Sequence, residues 1–412
     1  MNDTITELSR KSSNPATDDK KKNNQLNSFF HKDQRINYSD GLNLRVVYTK
    51  KELINFFLTP WNIYKHDDYW IPPLLGELKN FFSKNNPFWN HTEAKLFILF
   101  RNEEVIGRIG VFVDYLYCEK VHEKVGFFGF FECIENYDCA EILLSAAQNW
   151  LKTKNIVLIQ GPINGRIDNG CGFLYDGMNT FPSILSVHSP LYYNSFAEKF
   201  GFVPIRDFVE YRLDLQGPIP EKVKQKSRVC SEMGIKIRKL NRMRTRKELD
   251  WWIPLFLETF QDHWGFVPVS SDEVRLRYGI KQLRWIVEPN LFLIAEINNE
   301  PIGYIWSTPD YNQILKEING KIELLNIFKL LYNKKKINTG KIQYIGVKKS
   351  FRNKDISTLL NYKTIVEMKK MGYINAVVSC IDAKNTNAIL TISNTGAIPY
   401  RKYRIYGKSI DK

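Results

Sequence analysis

The sequence predicts an α/β protein in which helices pack on a mixed sheet and one α+β domain occurs twice in tandem. Three observations carry this. First, Leu96-Phe-Ile-Leu99 leads through Asn102-Glu103-Glu104 to Ile106-Gly107, and Leu291-Phe-Leu-Ile294 leads through Asn298-Asn299-Glu300 to Ile302-Gly303. Each string reads as two apolar strands about a polar turn. Second, Gly201-Phe-Val-Pro204-Ile-Arg206-Asp-Phe208 parallels Gly396-Ala-Ile-Pro399-Tyr-Arg401-Lys-Tyr403, with a constant offset of 195 residues. Third, between hairpin and closing strand each half carries one amphipathic helix followed by a short apolar strand.

Taken in order, residues 1–40 are rich in Asn, Ser, Lys and Asp, which predicts a flexible tail. Residues 41–215 form the first domain. Its hairpin is followed by a helix with Ile142, Leu143, Ala147, Trp150 and Leu151 on one face, and then by a strand at Ile156–Ile159. Residues 216–235 read as a basic linker. Residues 236–412 repeat the plan, with a helix carrying Ile356, Leu359, Leu360 and Val366 and a strand at Ala376–Ser379.

With 412 residues, 43% hydrophobic and 25% charged, the chain has the composition of folded domains and is long enough for two cores. The net charge of +15 is concentrated: residues 221–250 carry +7 and residues 311–354 carry +9. Such local excess attracts phosphate, nucleic acid or anionic lipid, or is simply solvated. The six cysteines form no C-x-x-C pair, and no histidine stands at metal-ligand spacing, so no metal is expected. No apolar run approaches the length of a membrane span and no secretory leader is visible, which predicts a cytoplasmic protein with reduced thiols.

The order of elements resembles the GNAT superfamily of acyl-CoA-dependent N-acyltransferases. Gln343-Tyr-Ile-Gly346-Val347 stands where that family has its central strand. Lys348-Lys349-Ser-Phe-Arg352-Asn353-Lys354-Asp355-Ile356-Ser357 stands where it has its Arg-x-x-Gly-x-Gly/Ala loop. The resemblance implies acyl-CoA as co-substrate. Gly346 and Val347 would offer backbone groups to the pantetheine arm, while Arg352, Asn353, Lys354, Ile356 and Ser357 would surround the pyrophosphate at a helix N-terminus. Two family glycines are replaced, by Asp355 and Ser357. Downstream, Asn385, Ala388 and Gly396 keep the family spacing, but Ile392 takes the place of the tyrosine that protonates the departing thiolate. Tyr400 and Tyr403 lie just beyond and are the candidate acids; the alternative is that both are packed strand aromatics. The first half has Gly126-Phe-Phe-Gly-Phe-Phe-Glu132 at the corresponding place, apolar and then acidic, which argues against a phosphate-bearing ligand there. Its Gly161-Pro162 and Gly170-Cys-Gly172 turns either shape a pocket between the halves or are only tight turns.

Several strings, among them Tyr69-Trp-Ile-Pro-Pro73, Gly126-Phe-Phe-Gly-Phe-Phe-Glu132, Pro190-Leu-Tyr-Tyr193 and Asp262-His-Trp-Gly-Phe-Val-Pro268, resemble the tandem group of that family that includes bacterial ceramide synthases. On that resemblance His263 is the candidate base for an ammonium nucleophile, and Trp264 and Phe266 are candidate walls of an apolar acceptor pocket. Packing roles for all three stand beside those readings. The implied reaction is direct attack of an amine, small-molecule or lipid, on the thioester of acyl-CoA or of an acidic acyl-carrier protein. Two alternatives stand: aminoacyl transfer from tRNA by a Fem-type enzyme, and an inactive binding module that keeps the fold. Against nucleic acid, the aromatics are not interleaved with the basic runs. Peripheral contact with a membrane surface stays open.

Overall fold

The structure, a computed structural model, describes residues 34–279, 287–320 and 333–410. The predicted tail up to residue 33 and residues 321–332 of the second basic segment lie outside the described residues. The strands are β1 (Arg35–Asn37), β2 (Leu42–Val46), β3 (Thr92–Arg101), β4 (Glu104–Asp114), β5 (Val125–Cys133), β6 (Leu158–Gly161), β7 (Phe173–Asp176), β8 (Val203–Asp214), β9 (Lys236–Lys239), β10 (Phe292–Ile297), β11 (Glu300–Pro309), β12 (Thr339–Val347), β13 (Asn375–Asp382) and β14 (Ile398–Ser409). The α-helices are α1 (Lys50–Ile63), α2 (Leu75–Phe81), α3 (Tyr115–Val121), α4 (Tyr137–Thr153), α5 (Tyr192–Lys199), α6 (Glu221–Glu232), α7 (Thr245–Phe260), α8 (Ser271–Arg277), α9 (Asn312–Leu315), α10 (Ile356–Lys370) and α11 (Thr386–Ser393).

The two repeated hairpins form as the sequence predicts. β3 and β4 are joined by Asn102 and Glu103, and β10 and β11 by Asn298 and Asn299. All four turn residues have positive φ, the conformation that two-residue hairpin turns require and that Asn tolerates best among residues with a side chain. The helix after β5 is α4, whose Cys139, Ala140, Leu143, Leu144, Ala147, Trp150 and Leu151 are buried at helical spacing. Its counterpart α10 buries Ile356, Leu359 and Leu360 as predicted, with Ile365 and Met368; Val366 is only half-buried, and Ile365 takes its place in the inward stripe. The stretch 216–235, read as a linker, contains helix α6, which buries Val223, Ser227 and Cys230.

All strands join one sheet in the order β1-β2-β3-β4-β5-β6-β14-β8-β13-β12-β11-β10-β9, with β7 beside β14. The closing strands have changed places. β8, from the first half, pairs with β13 of the second, and β14, from the end of the chain, pairs with β6 and β7 of the first. β8 and β14 pair with each other along their length: Pro204 faces Tyr406 and Tyr211 faces Pro399, positions that the 195-residue offset makes equivalent. The linear boundaries at 215 and 236 are therefore crossed by two strands.

Three apolar clusters fill the layers. One packs α4 and α5 on the first half's strands, and one packs α10 on the second half's strands. The third runs across both halves on the opposite side, from Phe56 and Phe57 of α1 to Trp252 and Phe256 of α7. Polar groups clamp the same junction. His91 lies 3.0 Å from Asp114 and 3.3 Å from Glu273 of α8, and Arg166 also pairs with Glu273. Burial alone would lower the His91 pKa, but hydrogen bonds to Asp114 and Glu273 outweigh it and raise the value to about 9. Because the folded value lies above the unfolded one, this stabilisation is complete below the ordinary histidine pKa and is lost as pH rises through about 9. Denaturant unfolding at pH 7 and above pH 9 should show that loss in the unsubstituted protein and much less of it in His91→Gln; equal losses in both would remove His91 from the account.

Candidate active site

The opening that could take a ligand lies between β12 and β13. These strands pair in parallel from Thr339↔Asn375 to Ile342↔Val378, and there the pairing stops. β12 continues along β11 as far as Val347↔Gly303, while β13 continues along β8 as far as Asp382↔Phe208. From Gln343 onward, β12 therefore has a strand partner on one side only among the described residues. Gly346 lies on this stretch, and a Cβ there would come within 2.7 Å of Thr259 Oγ1 and of Tyr304 Cε1, so α7 can sit close only because the residue is glycine.

β12 leads through Lys349–Phe351 into α10. Asp355, at the position of the family glycine, has φ 55 and so adopts the left-handed conformation that the glycine would supply. No side chain caps the N-terminus of α10 among the described residues. Its first-turn amides and its dipole therefore face the opening, beside the exposed Arg352, Asn353 and Lys354. The Ile356 side chain is buried in the core, so this residue can offer only its backbone; Ser357 is half-buried. The loop is held from behind by the end of α7: Lys349 Nζ is 2.8 Å from Asp262, and the Lys349 amide donates to Glu258 Oε1 at 2.9 Å.

The first half has the same divergence, closed by its own chain. β5 and β6 pair only as far as Phe127↔Gln160. Beyond that point the Ile163 amide donates to Phe128 O (2.7 Å), the Phe130 amide donates to Asn164 Oδ1 (2.6 Å), and the Cys133 amide donates to the Tyr193 hydroxyl (2.8 Å). Asn136 caps α4 by accepting from the Cys139 amide. The edges that have no partner among the described residues of the second half are paired here by the protein itself.

The predicted site residues separate on this frame. His263 follows α7, its ring edge-on to Phe260 at 4.7 Å. The residue is exposed at the surface, yet the groups crowded about its ring, and then the charge of Arg352, hold its pKa below the usual imidazole value, so it is able to accept a proton at pH 7. Two separate predictions, the histidine and the basic loop, thus meet in space. Trp264 is half-buried against Phe208 and under Arg206. Phe266 is not a pocket wall: it is buried in the core that spans the halves, near Phe256. Asn385 accepts from the Ala388 amide at 3.1 Å and caps α11.

Neither candidate acid keeps its predicted place. Tyr403 is fully buried, its hydroxyl donating to Glu210 Oε2 (3.0 Å) and accepting from Arg401 Nε (2.9 Å). A phenol so enclosed, its pKa pushed far up by burial and by Glu210, cannot meet a thiolate unless the substrate enters the core. The Tyr400 hydroxyl is given to the Phe181 carbonyl at 3.1 Å, on a loop of the first half. The structure places another phenol on the diverging strand, paired with a second at the end of α8. Tyr344 of β12 and Tyr278 share a hydrogen bond of 2.8 Å, and the Tyr278 hydroxyl lies 3.5 Å from Asp168 of the first half. Asp168 is in turn 3.1 Å from Arg277. The turns around Gly161 and Gly170 therefore flank the junction of the halves. The sequence marked those turns through their glycines; nothing marked the two tyrosines.

The profile of the Acetyltransferase (GNAT) family matches residues 250–392. Across the whole chain, a tandem GNAT protein from the clavulanic acid biosynthesis pathway superposes with a TM-score of 0.55 at 11% identity, covering 90% of this chain and 99% of that one. The family match lies in the second half, and the chain as a whole has the tandem GNAT fold. Among curated proteins, the chain is 27% identical over 372 residues to "Bacterial ceramide synthase" of Caulobacter vibrioides, covering 88% of this chain and 96% of that protein. It is 28% identical over 377 residues to "Protein YghO" of Escherichia coli, covering 89% and 95%. Among the described residues, no group of side chains could hold a metal ion, and no helix is long and apolar enough to cross a membrane.

Proposed function

We propose that the chain moves an acyl group from the thioester of acyl-CoA, or of an acyl-carrier protein, to the amine of a lipid-like acceptor by direct attack. The observation that carries this reading is the half-paired stretch Gln343–Val347 running into the uncapped N-terminus of α10. Backbone groups at Gly346 and Val347 would hold the pantetheine arm, and the α10 amides with Arg352, Asn353 and Lys354 would hold the phosphates. The donor supplies an activated carbonyl. The amide groups of the half-paired strand would stabilise the oxyanion that forms when the amine attacks.

His263, neutral and beside Arg352, serves as proton acceptor at the mouth of the opening. Tyr344 takes over the acid role from Tyr403. Unlike the fully buried Tyr403, Tyr344 is only half-buried, and Tyr278 holds its hydroxyl in place. The lipid-like acceptor is supported by the name of the Caulobacter relative, with which the resemblance runs nearly end to end. In this reading the half-buried Trp264 lines the acceptor side.

Calorimetric titration with acetyl-CoA and palmitoyl-CoA tests the donor, and amide formation on a sphingoid base tests the acceptor. Saturable binding with turnover supports the reading; no binding of either thioester overturns the CoA donor. Tyr344→Phe should lower kcat by about 10²–10⁴-fold, the usual worth of a positioned acid, with donor Kd unchanged. An unchanged kcat would take the acid role away from it.

A further inference from the structure

The family glycine that lets a phosphate approach this loop is Asp355 here, a carboxylate at the place where an anion would bind. We propose that helix α6, which joins the two halves, is part of the donor site, and that its Lys226 makes the Asp355 loop able to accept a phosphate-bearing donor. The inference deepens the reading above and rests on it. Lys226 Nζ lies 2.6 Å from Asp355 Oδ1, and both side chains are only partly exposed. The helix carrying Lys226 is not a loose tether. Val223, Ser227 and Cys230 are buried, and the Cys230 thiol donates to the Lys354 carbonyl at 3.2 Å, in the loop itself.

An aspartate at the start of a helix ordinarily turns its carboxylate onto the first-turn amides. Asp355 does not: it makes no capping hydrogen bond, and its oxygen is held by Lys226, with Thr358 Oγ1 at 3.4 Å. The pair does two things at once. It cancels the carboxylate charge where a phosphate would be repelled, and it leaves the α10 amides unused. The left-handed backbone of the lost glycine is kept by Asp, one of the few residues with a side chain that visits that region routinely. Of the first basic segment, then, at least Lys226 works on the same anion as the second.

The test is titration of CoA into the full chain at low and at physiological salt, with thermal unfolding to confirm that each variant folds. Lys226→Ala should weaken binding about tenfold and Lys226→Glu further, the scale of one lost charge-assisted contact. Lys226→Arg should bind within about twofold of the unsubstituted protein, since the charge is kept. Asp355→Gly added to Lys226→Ala should restore most of the affinity, because the carboxylate that needed cancelling is gone; a helix that mattered only for packing would show no such rescue. Tight CoA binding that Lys226→Glu leaves untouched would overturn the role of Lys226 and leave the donor reading standing. Failure of the unsubstituted protein to bind CoA would overturn both.

Discussion

Replacing Glu210 with alanine will lower the free energy of unfolding by about 3–5 kcal/mol, the cost of breaking a buried ion pair from one side. Glu210 is fully buried on β8, where the exchanged strands meet. Its carboxylate is 3.0 Å from Lys341 Nζ on β12 and accepts from Tyr403 on β14 at 3.0 Å, while Ser186 binds the same oxygen as Lys341. Removing it leaves the Lys341 ammonium and the Arg401 guanidinium in the core without their counter-charge. Exchanging the pair together, Glu210→Leu with Lys341→Met, should cost less than the single change, since no bare charge remains. Urea unfolding of the three proteins decides it. Equal stability of Glu210→Ala and the unsubstituted chain would mean that water reaches Lys341.

The same residue sets a pH dependence. Burial would raise the Glu210 pKa, but the charge of Lys341 and the hydrogen bonds from Ser186 and Lys341 more than offset it, and the folded value lies below the ordinary carboxylate range. The stabilisation is therefore present above the unfolded pKa and lost as pH falls through the lower folded one.

Substituting Arg352 with alanine will raise the Kd for acyl-CoA about ten- to hundredfold, as expected for a charged hydrogen bond worth roughly 1.5–3 kcal/mol. At saturating donor, kcat should change little, because the residue stands at the phosphate end and would hold ground state and transition state alike. Its loss also removes a charge that lowers the His263 pKa, so the acidic limb of the pH–rate profile should move to higher pH. A fall in kcat without a change in Kd would place Arg352 at the reacting carbonyl instead.

The parts of the fold that were legible in the sequence are those written locally. Both hairpins announce themselves through alternating apolar strands about Asn-containing turns, and the 195-residue offset marks β8 and β14 as equivalents. That equivalence also hid their exchange. A strand that resembles its repeat satisfies the pattern of either half, so only pairing across some 200 residues shows which half it joins. The demotion of Tyr403 has the same root: β14 lies at the centre of one continuous sheet, and alternation alone does not tell which of its faces opens on a ligand.

Within the site, the loop from Lys348 to Ser357 was readable because its chemistry is contiguous. Tyr278, Tyr344 and Asp168 were not, since they come from three separated segments and meet only after the halves dock. Lys226 was hidden differently. In a run that also holds Lys222, Lys224 and Arg228, no local feature distinguishes the one lysine that turns toward Asp355.

The crossing of β8 and β14 gives the chain the logic of a symmetric dimer whose two subunits have been fused and have traded arms. The half whose own chain closes its divergence supplies β8, the strand that backs β13 and so builds the far wall of the other half's opening. The half with the open divergence returns β14 to complete its neighbour. Neither is a unit that could be inherited, expressed or lost alone: each severed piece would expose the edge its missing arm had covered and would seek a second copy of itself to fill it. The first half is thus a structural subunit of the second, bound to it by pairing as well as by peptide bond.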